Sequence, residues 1–225
     1  MTKIRTAYTN QLHELDDRMA AFGTMAAKDV LLCGTALCEG NASLARDILG
    51  GRPSAERDRR SIEDLCMNLL LLQQPLGRDI RLVTATFRAV PDLARIDEMS
   101  RDVCETAIDT PGVAESAAAP VLKELSQVVE AMVQRAVDAF VTRDAALAQE
   151  VEPMDDEVDA LFSRAVTTVV DGLREGGESA YDAPGVLMAA KYFERMGDHA
   201  VIVADWAAFR AEGVIEQASG VCHGV

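Results

Sequence analysis

The chain has 225 residues, enough to bury a sizeable core as one domain or as two closely packed halves. Hydrophobic residues make up 49% and aromatics only 4%, a balance that favours helices over sheets. A net charge of −15 argues against a nucleic-acid partner, because phosphate backbones bind basic surfaces; it suits hydrated cations, basic partner faces or simple solubility.

The first predicted helix runs from about Tyr8 to Leu37, with Leu12, Leu15, Met19, Phe22 and Met25 drawing one apolar stripe. Gly40-Asn41 breaks it, and Asn41 or Ser43 can cap the next. The second covers roughly Ala42–Leu72, its core face being Ile62, Leu65, Leu69 and Leu72, with an interruption or kink expected at Gly50-Gly51-Arg52-Pro53. Gln74-Pro75 ends it. The third runs from about Gly77 to Ile108 through Ile80, Val83, Phe87, Val90 and Leu93. Residues 111–120, Ala-rich and loosely patterned, then join two halves.

In the second half, Leu122, Leu125, Val129, Met132 and Ala136 stripe a fourth helix, and Val151, Val158, Leu161, Phe162, Ala165 and Val169 a fifth. Leu187, Ala190, Phe193, Met196, Ala200 and Val203 stripe a sixth, after a flexible link read as Gly172 to Gly185. Residues 212–225 read as a frayed tail. Helices of about 28 residues are about 42 Å long, and such neighbours joined by short loops pack antiparallel. The pattern predicts an all-α protein of two tandem antiparallel three-helix bundles related by a pseudo-twofold: residues 1–110, a linker at 111–120, residues 121–211, and a tail.

The halves are one unit written twice. Arg95 and Arg195 match at an offset of 100, as do Leu93/Phe193, Ile96/Met196 and Glu98/Asp198. Leu44-Ala45 and Leu147-Ala148 lie 103 apart, as do Ile48/Val151 and Glu56/Asp159. Self-similarity at a fixed period decides architecture before any single residue is interpreted.

The copies differ in their acids. Residues four apart share a helix face, so Asp155 and Asp159 point one way from the fifth helix, and Glu194 and Asp198 one way from the sixth. Like charges at this spacing repel. A hard cation held by carboxylate oxygens would turn that repulsion into shared ligation, although 37 acidic residues on long solvated helices also produce such pairs by chance. In the first copy, Arg52 stands opposite Asp155, Glu56 opposite Asp159, Ala94 opposite Glu194 and Glu98 opposite Asp198. Asp97 and Asp102 keep that face acidic, while Arg52 would repel a cation. His199 lies about 100° round the helix from Asp198, a position for a polar contact at a bundle edge rather than for a ligand.

Other chemistry is scarce. The chain has no Glu-x-x-His, no phosphate loop of the GxxxxGK[ST] kind, no GxSxG and no Cys-x5-Arg. Cysteines 33, 38, 66, 104 and 222 are odd in number and form no CxxC, as expected of buried thiols in a reducing compartment; Cys222-His223 on a Gly-flanked tail makes a poor metal site. Met1–Arg5 leads straight into polar residues, and the most apolar run, Leu65–Leu72, is too short to span a bilayer, so a cytoplasmic protein is expected.

These residues bring in a resemblance. Glu194-Arg195-Met196-Gly197-Asp198-His199-Ala200 is similar to the E-R-I-G-D-H-A of the PhoU family, and Gln74-Pro75-Leu76-Gly77-Arg78-Asp79-Ile80-Arg81 to its Q-P-x-x-x-D-L-R. The tandem three-helix repeat with E(D)xxxD motifs is also that family's organisation, and the resemblance covers nearly the whole chain. It implies a homodimer with iron or zinc clusters on acidic patches. It also implies a non-enzymatic negative regulator in high phosphate, bridging the phosphate ABC transporter, through its ATPase, and the sensor histidine kinase of the phosphate regulon. The metal-ligand role then falls on Asp155, Asp159, Glu194 and Asp198, and more weakly on Glu56 and Glu98, because Arg52 and Ala94 depart from the pattern. Asp79 and Arg81, at the start of the third helix, are read either as a partner contact or as an acid favoured by the helix dipole beside a solvated arginine. The competing readings are a metal-dependent enzyme using the carboxylate cluster and a metal-free helical scaffold.

Overall fold

The computed structural model describes residues 2–50 and 55–213. Eight α-helices follow one another there: α1 Thr2–Cys38, α2 Ala42–Gly50, α3 Ala55–Gln73, α4 Arg78–Asp109, α5 Ala119–Thr142, α6 Ala145–Gln149, α7 Glu152–Glu175 and α8 Ala183–Glu212. The predicted second helix is α2 with α3, and the break between them, including Arg52, lies outside the described residues. The short α6 was not anticipated, yet it is the counterpart of α2. Asn41 accepts from the Leu44 backbone N–H at 3.0 Å to start α2, and Asp144, 103 residues later, accepts from Leu147 at 3.1 Å to start α6.

Four helices make the centre. α1 lies against α4 and α5, and α8 against the same two; α3 flanks α4, and α7 flanks α8 and α5. The halves are therefore fused through a common core whose largest buried side chains include Phe140, Phe193, Met19, Met132 and Met196. Burying a side chain of this size contributes about 1.5–3 kcal/mol relative to exposing it. Close approach is needed where α1 meets α5. A Cβ on Gly23 would stand 2.3 Å from Val137 Cγ2, and one on Gly34 would stand 2.4 Å from Ser126 Cβ. Residue numbers rise along α1 as they fall along α5, so the two run antiparallel. The second inter-repeat contact, α4 on α8, carries Ser100 Oγ against Met196 Sδ at 3.9 Å.

Three expectations are refined. The stretch 111–120 joins the halves and does so as an ordered connection: Pro111–Glu115 forms a 3-10 turn, Val113 is fully buried, and Ser116 donates to Glu178 at 3.0 Å. The link before the sixth helix is shorter than Gly172–Gly185, since α7 continues to Glu175, Gly176 ends it at φ 75°, and α8 begins at Ala183. Leu65–Leu72 remains a short run, but Thr6–Cys38 is long and apolar enough by length and composition to cross a membrane, with mean hydropathy 1.3 over its apolar window. Leu15, Met19, Ala26, Val30 and Cys33 of that helix are wholly buried in the protein's own core, the behaviour of a central helix. Cys33, Cys66 and Cys104 are buried free thiols and Cys38 is half-buried; Cys222, His223 and the rest of 214–225 lie outside the described residues.

Candidate functional site

The acidic residues of the second repeat line the seam where α7 runs antiparallel to α8. Gly197 sets the spacing of that seam: a Cβ there would come within 3.2 Å of Asp155 Oδ1 and 3.4 Å of Val158 Cγ1. With only hydrogen at this position, α7 settles close enough for its acids to feel those of α8. Burial, then Asp198, Asp159, Glu194 and Asp156, push the Asp155 carboxyl up to about 6. Asp198 is raised as well, by burial and then by Glu194, against the opposing charge of Lys191. Glu194 takes one hydrogen bond from Lys191 at 2.6 Å, while its Oε2 is buried with no partner.

The seam is longer than the four residues read from sequence. Asp205 is raised by burial and by Glu152, so a further acidic contact closes the far end. The signal was present: Asp205 follows Asp198 by two turns, and Glu152 precedes Asp155 by one. Lys191 was also missed. It stands one turn before Glu194 and reaches both that carboxylate and the Phe162 ring, 5.4 Å from its centroid.

Oxygen donors with an orphaned buried carboxylate atom are the right chemistry for a hard cation. The side chains as they stand do not converge: among the described residues, no three His, Cys, Asp or Glu groups meet closely enough to hold an ion.

The first repeat is arranged differently. Glu56 is gripped by its own helix, receiving Arg59 at 2.8 Å from both Nε and Nη2 and Arg60 at 2.6 Å. Those hydrogen bonds hold its carboxyl down at about 2. Glu98 pairs with Arg95 at 2.6 Å. Asp97 and Ala94 are buried, and Asp102 is raised by burial, Glu105 and Glu98. Glu56 and Glu98, the weaker candidates, are thus already neutralised by arginines.

The remaining residues have structural partners. His199 Nδ1 lies 2.8 Å from Asp92 Oδ1, a polar contact between α8 and α4 of the kind expected. Asp79 accepts from Tyr8 at 2.7 Å, tying the start of α4 to α1, and burial, followed by that acid, pushes the phenol up to about 12. Arg81 faces elsewhere, into a pocket at the same end of the molecule.

The fold and the seam together define a helical repeat protein with a surface acidic cluster in its second copy. The chain matches the PhoU domain over residues 18–107 and again over 122–207, and it belongs to the PhoU family. The crystal structure of PhoU from Pseudomonas aeruginosa superposes with a TM-score of 0.85 at 27% identity, covering 92% of this chain and 100% of that one. The phosphate transport system regulatory protein PhoU from Streptococcus pneumoniae shares the fold, with a TM-score of 0.83 at 19% identity over 92% of this chain and 98% of that one. Among curated relatives, the phosphate-specific transport system accessory protein PhoU homolog of Pseudomonas putida is 28% identical over 105 residues, 47% of this chain and 41% of the relative. The accessory protein PhoU of Edwardsiella tarda is 24% identical over 102 residues, 45% of this chain and 42% of the relative. The chain thus spans less than half the length of the curated relatives it matches.

Proposed function

We propose that this protein is a regulator of phosphate uptake and of phosphate-responsive two-component signalling, acting as an adaptor without catalysis of its own. Its partners in this reading are the ATPase of the phosphate ABC transporter and the cytoplasmic part of the sensor histidine kinase, which it holds in an inactive arrangement when phosphate is plentiful. It works in the cytoplasm as a homodimer and meets the membrane only through those partners. Family membership and the names of its relatives support the phosphate side of this reading.

The observation that carries the site is the acidic seam of the second repeat, where among the described residues Lys191 alone pairs with one of the six carboxylates, Glu194. Asp155, Asp159, Glu194 and Asp198 would hold an iron or zinc centre there, with Glu152 and Asp205 extending the acidic field. A bound cation would cancel the mutual repulsion of the carboxylates and brace α7 against α8, giving partners a more rigid face. The arrangement of Lys191 on Glu194, with no convergent set among the described residues, also suits a metal-free scaffold.

Two measurements decide. Untagged protein, analysed for metals by mass spectrometry, is expected to carry stoichiometric iron or zinc that the Glu194→Ala/Asp198→Ala variant lacks; no metal in either would leave the scaffold reading. Co-purification with the transporter ATPase and with the kinase's cytoplasmic region tests the adaptor, and loss of both associations in the wild type would sink it.

A further inference from the structure

The protein carries 37 acidic residues against 22 lysines and arginines, yet four arginines line one cavity at the end of the bundle opposite the linker. Arg78 and Arg81 come from the first turn of α4, Arg143 from the residue that ends α5, and Arg210 from the last turn of α8. The cavity holds about 210 Å³. Sites for drug-sized ligands run to roughly 300–1,000 Å³, so a small ion is the fitting occupant.

Helix ends account for part of this cluster. Arg210, only 4% exposed, donates through Nη1 to the Phe140 carbonyl at 2.8 Å and stacks on the Phe140 ring, 4.8 Å from its centroid. Its Nη2 lies 2.7 Å from one Asp16 oxygen and 3.0 Å from the other, and Arg143 approaches the same carboxylate at 3.8 Å. One acid thus faces two guanidinium groups. No ion pair joins Arg78 or Arg81 to an acid among the described residues. The Nε atoms of Arg81 and Arg210 are both buried without a partner. Leaving such a charged donor unpaired costs more than leaving a neutral one, and both atoms belong to side chains that line the cavity. Arg143 adds a further sign of construction. It holds φ 60° and ψ 42°, a left-handed conformation that disfavours side chains, at a helix end where glycine is the usual residue.

We infer that the Arg78, Arg81, Arg143 and Arg210 pocket binds a tetrahedral phosphate-type oxyanion, whose oxygens accept from the guanidinium groups that line it, foremost those of Arg78 and Arg81, which have no acidic partner among the described residues. Guanidinium forks match such oxygens two at a time, and an excess of positive charge in an otherwise acidic molecule concentrates the ion there. The inference deepens the reading above by giving it a ligand, and it rests on that reading only for the expectation of phosphate; the cavity and its arginines stand apart from it.

Isothermal titration of the full-length, metal-free protein with inorganic phosphate tests the site, with O-phosphoserine and acetate in parallel. One phosphate per chain is expected, with affinity reduced roughly tenfold or more in Arg81→Gln and further in Arg78→Gln/Arg81→Gln, as loss of charge-assisted hydrogen bonds dictates. Unchanged melting of these variants shows that they remain folded. Tighter binding of O-phosphoserine than of phosphate assigns the site to a phosphoryl group carried by a larger molecule; the reverse assigns it to the free ion. No saturable heat at millimolar phosphate, equal binding of acetate, or unaltered affinity in the double variant would each overturn the inference. Any of these would leave co-purification with the ATPase and kinase, and hence the adaptor reading, untouched.

Discussion

The two repeats solve the same electrostatic problem in opposite ways. In the first, Glu56 and Glu98 are covered from their own helices by Arg59, Arg60 and Arg95. In the second, three acids on α7 face three on α8, and Lys191 is the cation that reaches them. Arginines one turn away stabilise a carboxylate in its charged form at little cost in specificity. Acids pressed together across a helix seam remain in want of a counter-charge. The difference teaches that duplicated folds can neutralise the acids of one copy from their own helix and leave those of the other pressed against a neighbouring helix.

The largest test of this contrast is metal uptake. Glu194→Ala/Asp198→Ala is expected to lose all bound iron or zinc, whereas Glu56→Ala/Glu98→Ala should retain it; equal loss in both variants would erase the distinction between the repeats.

Next comes the pH dependence of Asp155. Its carboxyl titrates from 3.8 up to about 6 on folding, so the folded chain binds the proton more tightly than the unfolded one. Ionising it therefore costs stability as pH rises through that window, and the cost is relieved as pH falls. Metal-free Asp155→Asn should be more stable than wild type at pH 7 by on the order of 1 kcal/mol, after allowing for solvent screening of a half-exposed group. The gain should vanish below the ordinary aspartate range, with urea melts at pH 7 and pH 3 giving the comparison. A destabilised variant at pH 7 would mean that Asp155 already has a favourable partner.

Gly197→Ala should act more weakly on stability, within about 1 kcal/mol, because the helix propensity of alanine offsets the crowding of Asp155 and Val158. Its expected signature is a several-fold weaker cation affinity, read by competition with a chelator. An unchanged affinity would remove Gly197 from the seam's geometry.

The smallest effect belongs to Glu56, with the opposite sign to Asp155. Its carboxyl falls from 4.5 to about 2 on folding, so it stabilises the protein above the ordinary glutamate range, and that contribution is lost as pH drops towards 2. Glu56→Gln should melt slightly below wild type at pH 7 and converge with it in acid.

Most of the fold was readable because helical periodicity and a 100-residue repeat are both local or regular signals. Leu15, Met19 and Phe22 on α1 and Phe193, Met196 and Ala200 on α8 are buried as their spacing requires. The order of the linker was not legible because Val113 and Ser116 owe much of their burial to α1, α8 and Glu178, far along the chain, which leave no periodic trace in so short a stretch. In the seam, the i,i+4 acids were visible. The neutralisation of Glu56 was equally available, since Arg59 and Arg60 stand three and four residues away. The arginine pocket was not legible at all: residues 78, 81, 143 and 210 come together only when the ends of α4, α5 and α8 meet. Arg81 could be singled out from its motif, but not its three neighbours.

The glycines where α1 crosses α5 carry one more consequence. Gly23 against Val137 and Gly34 against Ser126 join helices of different repeats, and Gly34 also lies beside Phe193 of α8. A chain cut between the repeats would leave each half with an uncovered apolar flank shaped for the other. Two severed halves, mixed, should recognise each other as readily as they are joined, and a half left alone should seek a second copy of itself. Each repeat here supplies part of the surface that covers the other's core.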